Sequence, residues 1–164
     1  MRTGLKALAS RVGGQVVVIL LALGPAVIVT APSAEAAYTP SAATVAAYEA
    51  RVIYRINVQR ARYHRGRLTA VYCPDRYAEG WAPYLARTGR FYHRSMYTIL
   101  RGCRAHVAAE NLARGHVGPD RIVAAWMASY GHRRNILDYR LTRIGVAAVY
   151  RRGAWTVVAN FTRP

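Results

Sequence analysis

The sequence is poor in acidic residues, in lysine and in cysteine. Its 164 residues include seven acidic side chains against 24 basic ones, and Lys6 is the single lysine, so nearly every cation is an arginine. The chain has no internal repeat and no low-complexity tract, which excludes repeat architectures and fits one domain of ordinary size. Beyond residue 36 it also has no long apolar run that could cross a bilayer.

The first 36 residues have the features of a secretory signal peptide. A basic start precedes residues 16–30, a nearly apolar run of about 15 residues that is shorter than the roughly 20 residues of a membrane span. Ala34-Glu35-Ala36 then fits the small-x-small site of a signal peptidase. We predict a signal peptide over residues 1–36 and a secreted protein; the alternative is an uncleaved N-terminal anchor.

The two cysteines, Cys73 and Cys103, lack the C-x-x-C spacing of a redox centre. In an exported chain, a lone pair of cysteines indicates one disulfide rather than a metal site. We therefore predict a Cys73–Cys103 disulfide.

Beyond residue 36 the chain carries 21 arginines against six acidic residues, a net charge of +15. Guanidinium groups bind phosphate and carboxylate in a bidentate manner, so we expect salt-sensitive binding of anionic polymers through an arginine-rich surface. The alternative is that arginine replaces lysine through codon bias, since the arginines are spread along the chain. No specific nucleic acid is predicted, and the oligomeric state stays open.

Hydrophobic periodicity and turn residues predict the order of elements. Residues 37–44 form a loose lead-in, with Ser41 a candidate cap for the first helix, and a domain covers residues 45–164. The expected elements are helices over 45–63, 74–88 and 119–130, a strand over 105–113, an irregular segment over 91–102, and a hairpin of strands 144–150 and 155–161. This order predicts a layered α/β domain with helices covering an antiparallel sheet.

Three polar side chains are candidates for a functional cleft. His93 lies just beyond the second helix, and His132 follows Gly131, a glycine expected to end the third helix and turn the imidazole back towards the sheet. Strand alternation places Glu110 on one face with Ala108 and Leu112, where a carboxylate needs a partner. The other histidines downstream of the signal segment form no local zinc motif; they are His64, His106 and His116.

Several segments resemble bacterial domains of the CAP superfamily (cysteine-rich secretory proteins, antigen 5 and pathogenesis-related proteins of plants). They are Ile56-Asn57-Val58-Gln59-Arg60, Phe91-Tyr92-His93-Arg94-Ser95, Ala109-Glu110-Asn111-Leu112-Ala113, Ala125-Trp126-Met127 and Gly131-His132-Arg133-Arg134-Asn135-Ile136-Leu137. The resemblance implies a three-layer α–β–α sandwich with a small antiparallel sheet.

It also implies a cleft of two histidines and two acidic residues, of which His93, Glu110 and His132 match three. The second acidic residue usually follows the tryptophan of the third helix, and Met127 stands there instead.

Two neutral imidazoles, those of His93 and His132, could hold Zn²⁺ or another divalent cation weakly, with Glu110 supporting a ligating ring; the alternative is a metal-free polar cluster.

The resemblance implies a non-catalytic module that binds a lipid, another hydrophobic molecule or a cell-envelope component. Two alternatives are a metal-assisted hydrolase and a cationic protein that binds polyanions or membrane surfaces. Ser95 is the candidate nucleophile near His93, but no G-x-S-x-G elbow is present.

Overall fold

The computed structural model describes residues 9–12, 15–18 and 39–164, and the chain divides into two units, residues 1–38 and residues 39–164. In the first unit, strands β1 (Ala9–Val12) and β2 (Gln15–Val18) pair antiparallel. The predicted cleavage site at residues 34–36 lies outside the described residues. Among the described residues, no helix combines the length and the hydropathy that a membrane span requires.

The first helix of the second unit is α1 (Ala42–Arg62). Ser41 caps it, as predicted, because its hydroxyl accepts the Thr44 N–H at 3.1 Å. The last residues of the expected lead-in therefore belong to the helix. The buried side chains of α1 recur every four residues and form one stripe; they are Tyr48, Val52, Ile56 and Arg60.

Helix α2 (Tyr72–Thr88) ends at Gly89, whose φ of 73° is the left-handed conformation that glycine adopts without strain. Its buried stripe is Pro74, Ala78, Ala82 and Leu85. Trp81 packs at the margin of this stripe, and Thr88 is exposed.

The segment predicted to be irregular contains helix α3 (Met96–Gly102), so that prediction is wrong. Its single buried residue is Ile99, too little apolar surface to give a periodic signal. The predicted disulfide is confirmed: Cys73 in the first turn of α2 is bonded to Cys103, the residue after α3, and the two Cα atoms lie 5.6 Å apart. The bond therefore ties α3 to α2.

The third predicted helix is α4 (Pro119–Ala128), and a further helix that the sequence did not predict, α5 (Tyr130–Leu137), follows it. The break lies at Ser129, whose backbone is extended (φ −90°, ψ 125°). Gly131 lies inside α5 rather than ending a helix, so the predicted turn at this glycine is wrong.

The sheet of the second unit has four strands in the order β3-β5-β6-β4. They are β3 (Thr69–Ala70), β4 (Val107–Gly115), β5 (Arg143–Arg151) and β6 (Ala154–Arg163). The three long strands are antiparallel, as predicted, but β3 pairs parallel with β5, so the sheet is mixed. The predicted hairpin closes through Arg152 and Gly153, both with positive φ, which matches the right-handed twist of the strands.

Helices cover both faces of this sheet, which confirms the three-layer sandwich. On one face a large core joins α1, α4 and α5 to the sheet around Trp126 and Phe161. On the other face α2 packs its small residues against Leu112 and Val158. The close packing of α2 requires Gly145, because a Cβ there would overlap the backbone of Pro74 and Asp75.

Candidate functional site

A cleft of about 430 Å³ lies at the outer edge of β4 and contains the three predicted site residues, His93, Glu110 and His132. Each comes from a different element: the segment between α2 and α3, strand β4, and helix α5. The predicted convergence is therefore present in the structure. Three distant stretches of chain meet here because β4 is an edge strand and helices pack against both faces beside it.

Glu110 is the buried centre of the cleft, with 4% of its surface exposed. Its Oε1 lies 2.8 Å from His93 Nδ1 and accepts the Arg94 backbone N–H at 3.1 Å. Burial raises the pKa of Glu110, and the hydrogen bonds from His93 and Arg94 oppose that rise. Its second oxygen, Oε2, is buried and has no hydrogen-bond partner among residues 39–164.

The segment that carries His93 is held by Arg114 on β4. The Arg114 guanidinium donates to the carbonyl oxygens of Leu85, Gly89 and Arg90 at 2.8–3.0 Å, and its Nε donates to Thr156 Oγ1 at 3.2 Å. These carbonyls belong to the end of α2 and the turn after it. Arg114 therefore positions the turn three residues before His93, whose side chain is 57% exposed.

His132 is fixed through its backbone and its ring. Its carbonyl accepts a bond from Asn111 Nδ2 at 3.1 Å, and its ring lies 6.4 Å from the Trp126 ring, centre to centre. Burial lowers the pKa of His132, and the nearby charge of His93 lowers it further. His132 is therefore neutral at pH 7, and a neutral imidazole can both donate and accept a hydrogen bond.

Side chains from α4 and α5 close the free edge of β4. Asn135 Nδ2 donates to the Glu110 carbonyl at 3.2 Å and to Asn111 Oδ1 at 2.9 Å. Trp126 Nε1 donates to the Leu112 carbonyl at 2.9 Å. These bonds fix α5, and with it His132, against the strand that carries Glu110.

The sequence reasoning missed a second carboxylate in the cleft, that of Asp138. It lies just after α5 and lines the cleft together with Arg134 and Arg140. Asp138 Oδ2 accepts a bond from Arg140 Nη2 at 2.7 Å, and this bond is the main reason that its pKa is lowered. The only available signal was that Asp138 is one of six acidic residues beyond residue 36, close in sequence to His132.

The remaining candidates lie elsewhere. His64, His106 and His116 are not among the residues that line the cleft. Ser95 precedes α3, is also absent from the lining, and makes no side-chain cap bond to that helix.

The similarity of this chain to known proteins agrees with the fold described above. A sequence profile of the cysteine-rich secretory protein family, CAP, matches residues 53–161. The chain belongs to the CAP family.

Relatives of this CAP domain come from bacteria. Protein YkwD of Bacillus subtilis (strain 168) is 30% identical over 125 residues, which cover 72% of this chain and 49% of that protein; the chain thus spans about half of that relative. An outer surface protein of Borrelia burgdorferi matches with a TM-score of 0.63 at 19% identity, covering 68% of this chain and 89% of that one. An extracellular protein containing an SCP domain from Bacillus anthracis matches with a TM-score of 0.67 at 17% identity, covering 97% and 60%. At these identities, the two structures show the fold alone.

In this CAP domain two polar residues of α1, Asn57 and Arg60, hold the fold together through hydrogen bonds from their side chains to the backbone. Asn57 forms two hydrogen bonds with the backbone of Leu68, at 2.8 and 3.1 Å. Arg60 is 1% exposed and donates to four carbonyl oxygens at 2.6–3.1 Å, those of Gly66, Ile136, Asp138 and Leu141. Arg60 thereby fixes the chain at both ends of the Asp138 loop.

The cleft residues of this CAP domain do not make a full metal-ligand set. Within residues 39–164 no group of three or more His, Cys, Asp or Glu side chains is arranged to hold a metal ion. Glu110 Oε1 is already bonded to His93 Nδ1. We therefore assign no step of the chemistry to a metal.

Proposed function

We propose that the protein is an exported, non-catalytic binding module whose cleft takes a polar group of a cell-envelope component. The observation that carries this proposal is the buried Oε2 of Glu110, an acceptor that has no donor within residues 39–164. A buried acceptor left unsatisfied costs free energy, and a ligand hydroxyl or amide N–H that reaches Oε2 from the cleft would recover that cost.

The lining favours a polar ligand over a lipid chain. It contains both imidazoles, Asn135, Asp138 and two arginines, and its apolar part consists of short side chains of β4 and the ring of Tyr130. Lipid sites are instead lined mainly by large apolar side chains. A sugar that carries hydroxyl and acetamido groups offers the donors that Glu110 lacks.

The test uses Glu110→Gln, because this substitution keeps the shape of the side chain. The amide oxygen can accept from His93 and Arg94 as before, whereas the amide nitrogen replaces the unpaired acceptor with a donor. Native mass spectrometry of the exported protein, purified without chelator, identifies any co-purified compound, and N-acetylglucosamine oligomers serve as probes in calorimetric titrations. We expect the variant to bind the probe about 10- to 100-fold more weakly, the effect of 1–3 kcal/mol for one mismatched buried bond. Equal binding by both proteins, or no binding by either together with no co-purified compound, would overturn the proposal.

A weak divalent-cation site stays a prediction of the sequence. Titration of the wild type and of His132→Ala with Zn²⁺ alone tests it, since a cation held by both imidazoles requires His132. For the hydrolase alternative, the candidate nucleophile Ser95 lies outside the lining of the cleft.

A further inference from the structure

Arginine and aromatic side chains form a continuous row along the exposed side of α2. Arg76 Cζ lies 4.9 Å from the centre of the Tyr77 ring. Arg94 Cζ lies 5.4 Å from the same ring and 4.8 Å from the centre of the Trp81 ring. One guanidinium therefore bridges two rings that stand one helical turn apart on α2.

The row continues towards the end of α2. The Trp81 ring stacks on the Tyr84 ring at 4.8 Å and meets the Tyr92 ring edge-on at 5.1 Å, and the Tyr92 hydroxyl donates to that of Tyr84 at 3.2 Å. We define the arginine–aromatic ladder by its six members, Arg76, Tyr77, Arg94, Trp81, Tyr84 and Tyr92.

The ladder arginines have no carboxylate partners. In the part of the chain from residue 39 onward, the arginines that form ion pairs are Arg51, Arg55 and Arg140. Arg94 Nε is buried without a hydrogen-bond partner among the same residues. The ladder therefore presents positive charge that the described part of the protein leaves uncompensated.

More cations lie at the far end of the ladder. The pKa of Tyr84 is lowered first by the hydrogen bond from Tyr92 and then by the charges of Arg90 and Arg87. Arg87 and Arg90 are both exposed. From Arg76 to Arg87 the helix rises about 16 Å, at 1.5 Å per residue, so the positive charge extends along a line.

We propose that the arginine–aromatic ladder is a docking face for a linear phosphate polymer of the cell envelope. Guanidinium groups cover the rings of Tyr77 and Trp81, and Trp81 is also stacked with Tyr84. Arg76 Nη2 donates to the Tyr77 hydroxyl at 3.3 Å, and the remaining N–H groups of Arg76 and the terminal N–H groups of Arg94 match phosphate oxygens. Stacking on the rings also orders the guanidinium groups before binding, which reduces the entropy lost on contact. The proposal for this surface does not depend on the function proposed for the cleft.

The test compares two double variants with the same loss of charge. Arg76→Gln/Arg94→Gln removes ladder cations, whereas Arg62→Gln/Arg121→Gln removes two exposed arginines from α1 and α4. Binding of long-chain inorganic polyphosphate to the full protein is measured by fluorescence anisotropy from 50 to 300 mM salt, with neutral dextran as a negative control. We expect the ladder variant to bind about tenfold more weakly at 50 mM salt, and its slope of log Kd against log salt to fall by about 1.4, near 0.7 per lost cation.

Three results bear on the proposal. If both double variants weaken binding equally, net charge rather than the ladder is responsible, and the proposal fails. It also fails if single-stranded DNA binds more tightly per phosphate than polyphosphate, because stacked bases would then be recognised. Because Arg94 borders the cleft, Arg76→Gln alone is measured as well, and a roughly threefold loss with unchanged thermal unfolding supports the ladder. His132→Ala should retain polymer binding, which keeps this test independent of the cleft.

Discussion

His93 Nδ1 and Glu110 Oε1 lie 2.8 Å apart, although the histidine side chain is 57% exposed and the glutamate side chain 1% exposed. The bond therefore joins the solvent-facing wall of the cleft to its buried floor. Because Glu110 is rigidly placed on a strand whereas His93 lies between two helices, the geometry of the site depends on what holds that segment. Arg114 and the disulfide are the two main restraints.

Arg114→Ala should loosen the turn that precedes His93. The variant loses hydrogen bonds to the carbonyls of Leu85, Gly89 and Arg90, and we expect the free energy of unfolding to fall by about 1–3 kcal/mol. Urea denaturation measures this loss, and hydrogen exchange over residues 89–94 should rise. Arg121→Ala, an exposed arginine on α4, is the matched control and should stay within about 0.5 kcal/mol of wild type. Equal effects of the two substitutions would refute the positioning role.

Arg60→Met should destabilise the protein more than any exposed arginine substitution. Methionine keeps much of the volume but leaves four carbonyl oxygens without their donor, and we expect a loss of about 3–5 kcal/mol. Arg62→Met, on the exposed side of the same helix, controls for the change in charge. Urea unfolding of both variants measures the difference. A stable Arg60→Met protein would mean that the carbonyls find other donors.

Removal of the Cys73–Cys103 disulfide should destabilise α3 first and the whole domain second. A loop of 30 residues corresponds to about 3–4 kcal/mol of unfolding free energy in the chain-entropy description. Thermal unfolding of Cys73→Ser/Cys103→Ser, compared with the oxidised wild type, measures the loss, and the reduced wild type should match the variant. Hydrogen exchange should rise most in Met96–Gly102, which buries a single side chain. Uniform exchange across the domain would contradict this order.

Glu49 should make the protein less stable as pH rises. Burial raises its pKa, and the charges of Asp75 and Glu79 add to that rise, while the hydrogen bond from Ala148 opposes it. A raised pKa in the folded state means that its stabilising contribution is present below the ordinary pKa of 4.5 and is lost as pH rises through the folded value. Glu49→Gln should therefore gain stability relative to wild type between pH 4 and pH 8, measured by urea unfolding.

Asp120 serves as a control because its pKa is shifted in the opposite direction to that of Glu49. The hydrogen bond from Arg51 lowers the pKa of Asp120, so its contribution is present above its ordinary pKa and is lost as pH falls through the lowered value. Asp120→Asn should thus lose stability relative to wild type as pH rises. If both variants shift in the same direction, the assigned causes of the two pKa shifts are wrong.

Much of the fold could be predicted from local signals. Ser41 as a helix cap, Gly89 as a helix end and Gly153 in the hairpin turn are each fixed by backbone chemistry that a single residue type reveals. Helix α3 could not be predicted in this way, since one buried residue and a disulfide hold it rather than an apolar stripe. Strand β3 has only two residues, and its pairing with β5 depends on tertiary packing.

The candidate site was predictable where one residue looked out of place. A glutamate between alanine and leucine on a strand required a partner, and His93 is that partner. The sequence placed His132 in the cleft, but for the wrong reason. It predicted that the helix ends at Gly131, whereas the helix ends just before Ser129. Asp138 escaped notice because Arg60, which is far away in the sequence, holds the backbone of its loop, and no local pattern reveals that contact.

The side chains of Trp126 and Asn135 donate hydrogen bonds to backbone carbonyl groups at the free edge of β4. Side chains also bond to backbone groups at the opposite edge of the sheet. Where β3 stops, Asp75 accepts the Val146 N–H at 3.1 Å and Glu49 accepts the Ala148 N–H at 2.8 Å. Side chains thus occupy backbone groups on β4 and on the part of β5 that β3 does not cover, the groups through which open sheets otherwise recruit strands from neighbouring molecules. These bonds would therefore hinder strand addition at either edge of the sheet, the step by which sheets grow into fibrils.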